Sequence, residues 1–289
     1  MNYTMLMPVS LSKKQIDEIT ILVGICNDYD KTHYVFDECE DFKSETDINT
    51  FLLYDESQLI SAVTLFVPNK TEAELLAFTL PAHRQKGLFR KLLQEVKAEL
   101  KRRETNSILF VCDRNSKEGI STILKTKAVY EYSEFLMKYN GDEQSGNNGS
   151  GKVTIQEAHE QDKSKLVQIN KNAFNENRDE DEAAQIIDEI FKSNRRKVFS
   201  IFYDGLLVGM IGIYTEEERK YIYGFCVAKE YQGRGIGKQA LQNIVTVCLK
   251  ERDTHDIVLE VQTDNENALK LYTQVGFQVV TEFKYYRSL

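Results

Sequence analysis

Two stretches of this chain, 148 positions apart, pass through the same succession of patterns. In the later one, the apolar run YIYGFCV (Tyr221–Val227) leads through AKEY into QGRGIGKQALQNIVTVCL. In the earlier one, AELLAFTL (Ala73–Leu80) leads through PAH into RQKGLFRKLLQEVKAEL. Arg84 and Gln232 open the matching segments, and SILFVC (Ser107–Cys112) is echoed by DIVLEV (Asp256–Val261). Each time a strand-like run turns into an amphipathic helix, and a second strand and a short helical segment follow. Internal similarity on this scale predicts a diverged repeat. Between the copies, GDEQSGNNGSG (Gly141–Gly151) has four glycines and no apolar residue, which reads as a flexible linker. The expected division is a first domain over 1–140, a linker over 141–151 and a second domain over 152–289. Each flank is long enough to bury its own core.

Charge narrows the function classes. The chain carries 37 Lys+Arg against 45 Asp+Glu, with a net charge of −3 through residue 140 and −5 after it. Neither half is a basic module, and a nucleic-acid partner is not expected. No apolar run approaches the roughly 18 residues of a membrane span, and the opening MNYTMLMPVSLSKK does not read as a signal peptide. The five cysteines (Cys26, Cys39, Cys112, Cys226, Cys248) form no CxxC pair, which fits a reducing compartment and argues against a zinc site. A cytoplasmic protein without a bound metal is the expectation.

The glycines are uneven: three precede the linker and eight follow it. Backbone specialisation is therefore expected in the second half. Its periodicity predicts strands over Lys152–Glu157, Lys197–Tyr203, Leu206–Tyr214, Arg219–Val227, Asp256–Val261 and Gln278–Tyr286. It predicts helices over Gln161–Phe174, Asp181–Ser193, Gly235–Lys250 and Glu266–Val275. Asp204-Gly205 reads as a hairpin turn. The segment Gln232, Gly233, Arg234, Gly235, Ile236, Gly237, Lys238 lies between a strand and a helix. Its three glycines admit a close approach, and the helix start supplies unpaired N–H groups and partial positive charge for a phosphate or diphosphate. An ordinary tight turn gives the same pattern. Lys238 is followed by Gln, so this is no Walker A loop, and the dinucleotide fingerprint does not fit either. In NENALKLYTQVGF, Ala268, Leu271, Tyr272 and Val275 share a helix face, and Gly276 reads as the C-cap. Taken alone, Tyr272 reads as a core aromatic.

Together these motifs resemble a family. Gln232, Gly235 and Gly237 after a strand, then Asn265, Ala268, Leu271, Tyr272, Gly276 and Phe277, look like the GNAT superfamily of acetyl-CoA-dependent N-acyltransferases. The resemblance covers most of Lys152–Leu289 and, weakly, Met1–Asn140, and the tandem arrangement is similar to that of two-domain proteins of the mycothiol synthase type. It implies an α/β fold of α+β type: two tandem domains, each a mixed, mostly antiparallel sheet flanked by helices and splayed where acetyl-CoA inserts. It implies that backbone groups at Phe225, Cys226 and Val227 hold the pantetheine arm, that residues 232–238 cradle the diphosphate, that Asn265 contacts the cofactor and that Tyr272 lies near the sulfur.

The chemistry suits these residue types. A neutral primary amine attacks the thioester in a ternary complex, and Tyr272, with a reference pKa of about 10, can protonate the departing thiolate. A backbone N–H can polarise the carbonyl. An acyl-cysteine on Cys226 is the less favoured route, since a cysteine in an apolar strand is more often inert. Tyr221, Tyr223 and Glu260 flank the expected cleft, and a water relay through one of them would serve as base. The competing class is a non-catalytic acyl-CoA sensor or structural protein on the same scaffold. The expected partner is a small-molecule or peptide amine, and a homodimer is compatible with the chain. The first half keeps Arg84 and Gly87, but Phe89 stands where Gly237 does, which would crowd a phosphate cradle. Thr122 or Ile123 stands opposite Tyr272, so a bracing role without transferase chemistry is expected there. Acidic runs (Asp37, Glu38, Glu40, Asp41, Glu45, Asp47; Glu176, Asp179, Glu180, Asp181, Glu182) fit either solvated helix entries or attraction of a cationic amine.

Overall fold

The structure is a computed structural model that describes residues 3–38, 44–67, 71–141, 152–174, 180–216, 218–251, 254 and 256–288. Most of the expected linker lies outside the described residues. So do Cys39, Glu40, Asp41, Glu176 and Asp179.

The chain forms two compact units, Met1–Glu134 with Thr281–Leu289, and Phe135–Val280. The first contains β1 (Tyr3–Leu6), α1 (Lys13–Asp30), β2 (Thr50–Asp55), β3 (Gln58–Phe66), β4 (Glu72–Thr79), α2 (Leu88–Arg102), β5 (Ser107–Asp113) and α3 (Lys117–Leu124). β6 (Val129–Tyr139) begins in this unit and ends in the second. The second continues with β7 (Val153–Glu157), α4 (Lys163–Phe174), α5 (Glu180–Lys192), β8 (Arg196–Tyr203), β9 (Leu206–Glu216), β10 (Arg219–Val227), α6 (Ile236–Lys250), β11 (Asp256–Gln262) and α7 (Glu266–Val275). β12 (Phe277–Ser288) starts there and finishes in the first unit.

The repeat read from sequence is a structural repeat. α2 and α6 begin and end 148 positions apart, and each follows a short 3₁₀ turn, Pro81–His83 or Lys229–Tyr231, at the same offset. β1–β2, β2–β3, β3–β4 and β5–β12 pair antiparallel, as do β7–β8, β8–β9 and β9–β10, whereas β4 with β5 and β10 with β11 run parallel. A parallel neighbour needs a crossover, and α2 and α6 provide it. The core side of α6 carries Ile236, Ala240, Leu241, Ile244, Val245 and Cys248, all buried at helical spacing. Asp204 and Gly205 both have positive φ, 48° and 81°, as the tight hairpin between β8 and β9 requires.

The strands after the last helix of each repeat trade places. In the first unit the neighbour of β5 is the end of β12, with Phe283 opposite Asp113 and Ser288 opposite Ile108. In the second unit the neighbour of β11 is β6. Thr281–Ser288 thus complete the sheet of the first unit, although the sequence places them after the second. Periodicity gives a strand its length and its faces but not its partner, so the exchange carries no local signal.

Two layers of helix cover the second sheet. α6 and α7 pack with Ile222, Val227, Leu259 and Phe277 on one side. α4 and α5 pack with Val198, Met210, Tyr223 and Cys226 on the other. β10 therefore presents Ile222 and Phe225 to one face and Tyr223 and Cys226 to the other.

Candidate active site

The site is built on a ladder that stops early. β10 and β11 pair from Arg219 opposite Asp256 to Ile222 opposite Leu259. Beyond that, β10 runs on to Val227 and β11 to Gln262 without pairing each other. The cause is a bulge in β10. Its register against β9 shifts between Tyr223 and Cys226, and Gly224 sits at φ 58°, a conformation that glycine takes without a Cβ penalty. β9 is shaped to receive it. A side chain on Gly209 would meet the Cys226 carbonyl oxygen at 2.5 Å, and one on Gly212 would meet the Tyr223 ring at 2.5 Å. Past the bulge the Ala228 N–H donates to Val208 O at 2.8 Å, which keeps β10 on β9 and away from β11. Main-chain groups of Phe225–Val227 facing β11 are thereby released from a ladder.

The loop after β10 carries the second feature. Gly233 has φ 73° and Gly235, the residue ahead of α6, has φ 78°. No side chain caps the helix, and the first bond onto the preceding turn is Gln239 N–H to Gly235 O at 3.2 Å. The N–H groups of Ile236, Gly237 and Lys238 therefore have no partner within the helix. Nothing lies within 4 Å of where a Cβ would stand on Gly233 or Gly235. Gly237 differs: its Cβ would touch Phe225 Cζ and Leu271 Cδ2, both at 3.5 Å. Gln232 and Arg234 hold the loop in shape through their side chains. Gln232 Nε2 donates to Val227 O at 2.8 Å, and Arg234 donates to Glu230 O at 3.0 Å while lying over the Tyr231 ring. Lys238 is exposed.

Tyr272 closes the gap on the α7 side. Its ring is 6.4 Å from Phe225 and 6.2 Å from Phe277, and the residue is 9% exposed. Burial pushes the phenol up to about 12, and the nearby Cys226 thiol adds to the rise. The hydroxyl donates to no other described residue, unlike a core tyrosine with its O–H tied off. Cys226 is itself pushed up to about 12 by burial, so it is held as a thiol. Asn265 caps α7: its side chain accepts from Ala268 N–H at 3.1 Å, which occupies the carboxamide oxygen and leaves the amide NH2 at an exposed position.

On the opposite face, register aligns Arg196, Tyr214, Tyr221 and Val258 in one row across β8, β9, β10 and β11. Tyr223 and Glu260 follow Tyr221 and Val258 by two positions and so share that face. Arg219 donates to the Tyr221 hydroxyl at 3.2 Å; burial raises Tyr221 to about 12, and Glu260 is among the nearby anions that add to the rise. Glu260 is exposed at the point where the two strands have parted. The pattern that could have revealed this face in the sequence is the alternation Tyr221-x-Tyr223 and Val258-x-Glu260.

The first unit repeats the frame and fills it. β4 and β5 pair only as far as Leu75 opposite Phe110. Gln85, at φ 60°, stands where Gly233 does, and Gly87, at φ 76°, where Gly235 does. Arg84 Nε donates to Thr79 O at 3.1 Å, the counterpart of the Gln232 bond to Val227. The same guanidinium holds both Asp30 oxygens, at 2.9 and 2.6 Å, and Glu118 at 3.0 Å. Phe89, the counterpart of Gly237, packs its ring edge-on against Phe110 of β5, centroids 6.3 Å apart. Tyr34 packs on Phe78 and Phe283 and accepts from Asp113 N–H at 2.5 Å. Ile123 is buried on α3, the counterpart of α7.

The family model described as Acetyltransferase (GNAT) family matches residues 163–277. A curated relative, spermine/spermidine N(1)-acetyltransferase of Bacillus subtilis (strain 168), is 30% identical over 90 residues, 28% of this chain and 59% of its own. The chain spans about half the length of the curated relatives it matches. Solved structures of the same fold extend over the whole chain. A GCN5-related N-acetyltransferase from Sphaerobacter thermophilus has a TM-score of 0.75 at 13% identity, covering 99% of this chain and 95% of that one. A tandem GNAT protein from the clavulanic acid biosynthesis pathway has a TM-score of 0.72 at 10% identity, covering 99% and 98%. The chain has the fold of two tandem GNAT domains.

Proposed function

We propose that the second unit transfers an acetyl group from acetyl-CoA to a primary amine by direct attack in a ternary complex. The observation that carries this reading is the parting of β10 from β11 beyond Leu259, with an unbonded phenol, Tyr272, beside the gap. Acetyl-CoA supplies an activated acyl group on a thiol leaving group. Main-chain N–H groups of Gly233–Lys238 hold its diphosphate, with the Lys238 ammonium adding charge and Arg234 and Gln232 fixing the loop. The released backbone of Phe225, Cys226 and Val227 takes the place of a missing strand for the pantetheine amides. The Asn265 amide NH2 reaches the same cofactor from the start of α7.

Tyr272 keeps its proton throughout the physiological range, so it serves as the acid for the departing thiolate. Glu260, exposed on the other side of the gap, removes the proton of the incoming amine directly or through water. Cys226 stays protonated and buried, which supports transfer without an acyl-enzyme.

The test is a coenzyme A release assay with polyamines, peptides and aminoglycosides, with product mass read in parallel. The expected result is acetyl-CoA turnover that depends on one amine class and falls in Tyr272→Phe. Binding of acetyl-CoA without turnover on any amine would contradict the reading.

A further inference from the structure

One buried polar atom of α4 has no hydrogen-bond partner. Asn170 is 7% exposed, and its carboxamide Oδ1 is fully shielded yet accepts no hydrogen bond from the protein. Native interiors rarely leave such an acceptor alone, and those that do call for an explanation. Its place supplies one. α4 begins over β8, where Ser200 Oγ donates to Asp162 just ahead of the helix at 3.2 Å. It then packs on β9 and β10. The β10 members of its apolar cluster are Tyr223 and Cys226, the two residues that bracket the bulge. Asn170 stands one turn after Leu166, a fully buried member of that cluster, so it shares the sheet-facing side of the helix. Asn170 thus lies on the side of α4 that packs toward β9 and β10, on the sheet face opposite α6 and α7 that bears Tyr223.

We infer that Asn170 is the residue that recognises the acceptor: its Oδ1 takes a hydrogen bond from an N–H of the amine and points the nitrogen lone pair toward the gap. This rests on the acetyltransferase reading above and adds to it a specificity-determining side chain. The chemistry it selects is a primary amine, which retains an N–H donor after losing the proton that frees its lone pair. A secondary amine has its one remaining N–H in a single orientation, and an alcohol that gives its proton to the base has none left. A buried acceptor that is satisfied only by the correct ligand discriminates by orders of magnitude, because every other ligand leaves it unpaired.

The experiment compares full-length wild type with Asn170→Leu and Asn170→Asp, using whichever amine wild type acetylates fastest. The readouts are acceptor KM, kcat, acetyl-CoA Kd and Tm. For Asn170→Leu the inference predicts an acceptor KM raised about tenfold or more, the loss expected for one buried hydrogen bond. It also predicts a lowered kcat, because the lone pair is no longer oriented, with acetyl-CoA Kd unchanged and a Tm equal to or above wild type, since an unpaired polar atom is removed. Asn170→Asp, which keeps the oxygen, is expected to retain an acceptor KM near wild type. An unchanged acceptor KM in Asn170→Leu overturns the inference while leaving the transferase reading intact. A lower Tm together with weaker acetyl-CoA binding overturns it in favour of a purely structural role. Failure of wild type to acetylate any amine removes the underlying reading, and this inference with it.

Discussion

Burial raises Tyr272 and Cys226 alike to about 12, yet the two residues differ in what they can do. A phenol kept protonated is a ready acid, whereas a thiol kept protonated is a poor nucleophile. Tyr272→Phe is expected to lower kcat on the order of 10²–10⁴-fold, the range for loss of a positioned acid, with acetyl-CoA Kd within about twofold. Steady-state kinetics with calorimetry check this, and unchanged turnover would remove Tyr272 from the role. The shift also fixes a sign. Because the folded phenol loses its proton only near 12, kcat should show no descending limb from this group between about pH 8 and 10.5. A fall centred near 10 that is absent from Tyr272→Phe would contradict the raised value. In the sequence Tyr272 was visible as one of an apolar helix face, and only the neighbouring motif singled it out. Asn265 gave a correct helix start but not its cap, and Asn170 gave no signal, because an amide inside an amphipathic helix looks like any polar position.

At the level of elements, local patterns served well where one element makes its own geometry. Arg219–Val227 and Glu266–Val275 were read with the bounds they have in the structure, and α6 began one residue later than Gly235. The bulge was less legible. Gly224 inside YIYGFCV marks it, but the reason for it lies in Gly209 and Gly212 on the neighbouring strand. Gly209→Ala is expected to displace the Cys226 carbonyl and weaken acetyl-CoA binding by about tenfold or more, by analogy with other close-packed backbone contacts; titration with acetyl-CoA measures it, and an unaltered Kd would contradict the account. Gly235→Ala places a Cβ at φ 78° and is expected to cost about 1–2 kcal/mol of stability. Urea unfolding followed by circular dichroism reads this, and a neutral effect would show that the loop can relax.

At the scale of the molecule, the repeat was legible because both copies keep their order of elements, whereas the traded strands were not. A fragment of 152–289 lacks Phe135–Tyr139, the strand beside β11, and carries a β12 whose end pairs with β5 of the first unit. It is expected to be poorly folded or aggregating, through unpaired sheet edges; a cooperative melt matching that of the full chain would contradict the exchange. The two units also differ in what fills their parted ladders. Phe89, Tyr34 and the Arg84–Asp30–Glu118 ion pairs occupy the first, so one acetyl-CoA per chain is expected by calorimetry, and two equivalent sites would be inconsistent with it. No helix among the described residues is long and apolar enough to cross a membrane. The most direct measurement is a crystal structure of the full chain grown with acetyl-CoA. It should show the diphosphate on the main-chain N–H groups of 233–238, the pantetheine between β10 and β11, and the sulfur within hydrogen-bonding reach of the Tyr272 hydroxyl. Cofactor bound elsewhere, with β10 and β11 drawn together or the Phe225 ring filling the gap, would contradict it.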